Sequence, residues 1–156
     1  MSRVIRLLLA TSVLGVVLAA PAATGAWENA GCTPGYWKNH TEAWNGYSPT
    51  QTIDSVFNSA PAPYAGMTLL QGLSLRGGST IGGATEILLR AAIAAVLNEY
   101  PDFAYNKIDR TNAAMETGDR ERILRLAERF DAQNNGDCTI TWRAGDAARR
   151  WQHRLD

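Results

Sequence analysis

Histidine and cysteine are nearly absent from this chain, two of each in 156 residues. A zinc centre needs three or four ligands, and His40 and His153 stand far apart, so neither a metal nor a cofactor is expected. The cysteines, Cys32 and Cys138, lack the Cys-x-x-Cys spacing of thiol exchange chemistry. An excess of one charge is missing too: 15 basic side chains face 15 acidic ones. That balance gives no electrostatic reason to expect nucleic acid or an anionic membrane as partner. Runs of β-branched residues are scarce while alanine is abundant, which points away from sheet and toward an all-α fold. No Gly-x-Ser-x-Gly nucleophile motif occurs. Gly77, Gly78, Gly82 and Gly83 have the wrong spacing for a phosphate loop and no Lys-Ser or Lys-Thr after them; they read as a mobile or tightly turned linker.

What is present begins with an export signal. Arg3 and Arg6 form a positive n-region, and Leu7 to Ala20 is an uncharged apolar run ending in small residues. The run is shorter than the roughly 20 residues of a membrane span. Cleavage fits after Ala22 or after Ala26, the second being favoured because the motif-bearing segment follows. Residues 1–26 are therefore read as a signal peptide and 27–156 as one helical extracellular domain, secreted or periplasmic, with no membrane span after cleavage. Loss of Arg3 and Arg6 leaves an excess of two acids. Two cysteines in an oxidising compartment suggest one disulfide; two buried free thiols are the other possibility. A bridge closing about 100 residues would remove roughly 4–5 kcal/mol of denatured-state entropy.

Helical patterns run along the rest. Ser48-Pro49-Thr50-Gln51 has the form of a helix start, with Ile53, Val56 and Phe57 as its stripe. A short helix over Thr68 to Leu75 would bury Leu69, Leu70 and Leu73. Ala84 to Asn98 is apolar nearly all round and is expected at the centre, with Glu86 and Arg90 pairing on its exposed strip. Tyr105 to Glu116 follows as a helix, with Ile108, Ala113 and Met115 apolar and Gly118 suited to its left-handed end. Asp119 then caps a helix to about Ala132, with Ile123, Leu124, Leu126, Ala127 and Phe130 facing inward and Glu121 placed to pair with Arg125. Asn134-Asn135-Gly136 predicts a left-handed stop. A last helix is expected from Asp146, carrying Trp151 and Leu155. The sum is a small single-domain helical bundle.

The densest chemistry lies in Cys32-Thr33-Pro34-Gly35-Tyr36-Trp37-Lys38-Asn39-His40, continued by Glu42, Ala43 and Trp44. Pro34-Gly35 predicts a turn, and Trp37 and Trp44, seven apart, would share a helical face. These rings suit a small core beside the cysteine. As a binding surface, Tyr36, Trp37 and Trp44 would stack on sugar rings while Lys38, Asn39 and Glu42 bond hydroxyls. The candidate binding set is Tyr36, Trp37, Lys38, Asn39, His40 and Trp44. His40-x-Glu42 lacks the Pro-Cys-x-x-Cys of zinc deaminases, and His40 reads as a capping or packing residue. Asp131 to Asp137 copies the start of a calcium loop, but its twelfth position, Trp142, is no ligand.

The chain resembles a family of exported, mostly bacterial proteins through residues 32–44, the apolar Leu88–Asn98 helix, the Gly118–Ile123 helix start and the closing Asn134–Cys138. It departs from that pattern at Thr41, where proline is expected, at the extra Asp137, and in the tail from Thr139 to Asp156. The resemblance implies a secreted or surface-exposed module and supports pairing Cys32 with Cys138. It brings no activity with it.

These observations point to a non-catalytic binding or structural module, with extracellular polysaccharide or surface proteins as partners. The alternative is a small secreted hydrolase of cell-wall material using His40 or Glu42. That chemistry needs two carboxylates at a defined separation, and no spacing among Glu42, Asp54, Glu86, Asp102 and Asp109 supplies the pair. No catalytic residue is assigned.

Overall fold

The computed structural model describes residues 31–99 and 101–138. The leader, both cleavage positions, the helix expected from Asp146 and His153 lie outside these residues. Within them the chain is all-α: α1 (Pro34–Asn39), α2 (Ala62–Ala65), α3 (Leu69–Gly72), α4 (Ile81–Leu97), α5 (Tyr105–Glu116) and α6 (Arg120–Asn134), with short 3₁₀ turns at Thr41–Ala43 and Pro101–Phe103. Among the described residues no helix is long and apolar enough to cross a membrane.

The apolar α4 is the axis of the fold. Leu88, Leu89, Ala91 to Ala95, Val96 and Leu97 are all buried. It packs most extensively on α6 and also on α5, α1 and α3. Alanine along its middle lets neighbours approach closely, and larger side chains from α6 (Ile123, Leu126, Ala127, Phe130) fill the space. Leu124 lies half-buried at the edge of that stripe. On α5 the inward residues are Thr111, Ala114 and Met115. Ala113 is exposed, because one residue is about 100° of helix and only Ala114 falls on the buried side.

Capping residues set the helix ends. Thr80 accepts from Gly83 N and starts α4 three residues earlier than the apolar run implies. The helix thereby takes in Gly82 and Gly83, and a Cβ on Gly83 would collide with the Gly78 backbone. The glycine segment is thus a tight turn folded onto the start of α4. Thr68 and Gln71 form a reciprocal capping box at α3. Asp119 accepts from Glu121 N and Arg122 N, and Gly118 takes φ +60° after α5. Lys107 bonds Glu99 at 2.7 Å and the Ala95 carbonyl at 3.2 Å, a cation at the carbonyl end of α4 where the helix dipole favours it.

Several sequence expectations are corrected. Residues 49–58 form turns rather than a helix, although Ile53 and Phe57 are buried as the stripe requires. Ile53 N donates to Met67 O at 2.8 Å and Leu69 N to Gln51 O at 2.8 Å. Those bonds across to the α3 start leave room for one helical turn, Phe57 N to Ile53 O. Glu86 and Arg90 do not pair: Glu86 accepts from Gly77 N at 2.9 Å, and Arg90 donates to Leu75 O at 3.1 Å. Both charges serve backbone groups of the facing loop. Nor does α6 end in a left-handed turn: among the described residues positive φ occurs at Gly46, Gly77 and Gly118 alone, and Asn135 has φ −94°. The Asn135 side chain instead bonds Asp131 O at 2.7 Å.

Candidate functional site

The Cys32–Trp44 segment is built around a helix rather than a turn. Thr33 is the N-cap of α1, its hydroxyl accepting from Tyr36 N at 3.2 Å, and Pro34 fills the first helical position. Proline suits that position because its missing N–H would have no partner there. With only six residues, α1 leaves most of its last carbonyls without intrahelical donors. Three side chains of the motif supply them. Asn39 Nδ2 donates to Gly35 O at 2.9 Å, His40 Nδ1 to Tyr36 O at 2.9 Å, and Trp44 Nε1 to Trp37 O at 3.0 Å. A carbonyl accepts only, so Nδ1 of His40 carries the proton. Trp37 and Trp44 therefore meet through a hydrogen bond after the 3₁₀ turn and do not share one helical face.

The disulfide Cys32–Cys138 is formed, with Cα atoms 4.6 Å apart. Beside it lies a polar junction centred on Asn98, the C-cap of α4. Asn98 Oδ1 accepts from Cys32 N at 2.8 Å and from Trp37 Nε1 at 3.0 Å. Its amide donates to Cys32 O and to Asn134 Oδ1, both at 2.9 Å. Asn134, fully buried, donates in turn to Ala91 O at 2.9 Å. Every hydrogen-bonding position of the Asn98 side chain is occupied, and the junction joins α1, α4 and α6.

The six candidate residues separate into distinct roles. Trp37 is fully buried in the core. Tyr36 is half-buried, edge-on to Trp37 and stacked on His40 with centroids 4.2 Å apart. Trp44 is half-buried; Lys38, Asn39 and His40 are exposed. Lys38 alone of the six lines a shallow cleft of about 590 Å³ between α1, the residues after α3, and α6. Its other polar walls are Ser74, Arg76, Arg90, Asp131 and Asn135. Burial pushes the Asp131 carboxyl above its ordinary pKa, with the nearby Arg90 guanidinium opposing that shift. Neither His40 nor Glu42 lines this cleft, and Asp131 is its single carboxylate.

Two residues with a structural part in the site carried no warning in the sequence. Asn98 reads locally as an ordinary helix end. Gly31 donates to Asp137 O at 3.2 Å, and a Cβ there would collide with the backbone of Gln133 and Gly136. Among the described residues no group of three or more His, Cys, Asp or Glu side chains is arranged to hold a metal ion. No family model, curated protein or solved structure matches the chain.

Proposed function

We propose that this chain is a secreted, non-catalytic binding module in which the Cys32–Trp44 segment acts first as a clamp. The observation that carries the reading is the complete burial of Trp37 with its indole N–H committed to Asn98. A ring so placed has no face for a ligand. The binding surface is then the cleft beside Lys38, with half-buried Tyr36 stacked on exposed His40 at the end of the same short helix. Lys38, Ser74, Arg76 and Asn135 offer hydrogen-bond donors, and Asp131 offers an acceptor. Such a mixed wall suits the hydroxyls of a polysaccharide, and the resemblance to exported motif-bearing proteins supports the same compartment. The hydrolase alternative is disfavoured because its chemistry needs a second carboxylate across the bond, and the cleft has one.

The test is a pull-down of the purified mature protein on washed cell walls and insoluble polysaccharides. Retention that is lost in folded Lys38→Ala and Arg76→Ala variants supports the reading. Retention unchanged in both variants, or absent on every matrix, overturns it. Release of soluble sugar from a retained matrix would favour the hydrolase.

A further inference from the structure

A second concave surface lies away from the motif, between α5 and α6. Arg110, Arg122, Arg125 and Arg129 surround a groove of about 250 Å³ floored by Ala114 and Leu126. Arg122, Arg125 and Arg129 recur at three and four residues, so α6 presents them on one face. Arg110 comes from α5, its guanidinium 6.0 Å from the ring centroid of Phe130. All four arginines are exposed. Among the described residues, Arg110, Arg122 and Arg129 have no carboxylate within ion-pair distance. Arg125 reaches Glu121 at 3.3 Å in an exposed i,i+4 pair, which is easily exchanged for another anion. Four like charges around one small concavity repel each other, and an anion placed among them removes that cost.

We infer that this groove binds an acidic substituent of a polysaccharide, a uronate carboxylate or a sulfate ester. The guanidinium fork matches both groups with paired N–H donors. The alanine and leucine floor offers apolar contact for a sugar ring. A folded protein partner would require about 800 Å² of buried surface on each side, whereas this groove holds one ring-sized unit. Duplex nucleic acid rewards an extended basic face, and the chain as a whole has equal numbers of acidic and basic side chains. The site is independent of the Lys38 cleft.

The experiment is titration of the disulfide-intact protein with alginate, dextran sulfate, neutral dextran and duplex DNA at two salt concentrations. The expected result is salt-sensitive binding to alginate or dextran sulfate, none to neutral dextran, and weaker binding to DNA. Arg122→Gln/Arg129→Gln should weaken binding by about tenfold or more with an unchanged melting curve, while Lys38→Ala leaves it intact. Binding to alginate alone assigns the carboxylate; binding to dextran sulfate alone assigns the sulfate. Equal binding by the double-arginine variant, DNA binding as tight as that of either polysaccharide, or no binding to either acidic polymer overturns the inference.

Discussion

The indole N–H of Trp37 donates to Oδ1 of Asn98 at 3.0 Å, and the same oxygen accepts the backbone N–H of Cys32 at 2.8 Å. One side-chain amide thus holds the largest buried ring among the described residues, and the start of the disulfide-bonded segment, against the end of the central helix. Buried polar groups are costly when left unpaired and specific when fully paired.

Asn98→Ala should therefore destabilise the protein by about 3 kcal/mol or more, because it strands the Trp37 and Cys32 donors and the Asn134 oxygen together. Trp37→Ala should cost about 3–5 kcal/mol, the range for emptying a buried aromatic site. The two residues share one hydrogen bond, so the double variant should lose less than the sum. Denaturant unfolding of the three variants measures this; full additivity, or losses near 0.5 kcal/mol as at a surface position, would show that the junction is not a joint.

Gly31→Ala should cost about 1–3 kcal/mol, since the new methyl must displace backbone at the end of α6 rather than a flexible side chain. Gly66, whose added Cβ would meet nothing within 4 Å, is the control. Comparison of melting temperatures decides it, and equal effects at the two positions would contradict the close approach.

Removing the disulfide should lower stability by about 4–5 kcal/mol, because Cys32 and Cys138 are 106 residues apart and the bridge constrains nearly the whole described chain. Cys32→Ser/Cys138→Ser should unfold at lower denaturant concentration than the oxidised protein. Since Cys32 is buried, the reduced wild type is the cleaner comparison with the oxidised form. A midpoint unchanged on reduction would mean that the Asn98 junction holds the ends together without the bond.

Asp131 gives a pH signature. Its folded pKa is raised by burial, so the stability linked to this group is fully present below the ordinary aspartate pKa and is lost as pH rises through the folded value. Ionised Asp131 is thus unfavourable at neutral pH, and Asp131→Asn should raise the melting temperature at pH 7 and have a smaller effect near pH 3. The residue is only partly buried, so solvent screening keeps the gain small. A larger gain at pH 3 than at pH 7 would refute the assignment.

Much of the fold was legible because its signals are local. The Ala84–Asn98 run was apolar all round, and α4 lies at the centre with its first residues set by Thr80. Asp119 and Gly118 act where their side-chain chemistry and backbone freedom suggested. The Ser48 start failed for a non-local reason: backbone bonds joining Gln51 and Ile53 to Leu69 and Met67 at the start of α3 compete with helix propagation. Pro34-Gly35 failed for a local ambiguity, since proline opens turns and helices alike, and the Thr33 cap decided for a helix.

By itself the sequence determined the helical class, the central helix and the inward faces of α6, because spacing of apolar residues and capping chemistry act over three or four positions. Tertiary structure alone decided what the motif became. Cys32 and Trp37 meet Asn98 across 66 and 61 residues, and Asn98 meets Asn134 across another 36. No local pattern encodes such partners. The same long-range packing turned Trp37 inward, left Lys38 at the wall of a cleft, and brought Arg110 of α5 beside the arginine row of α6.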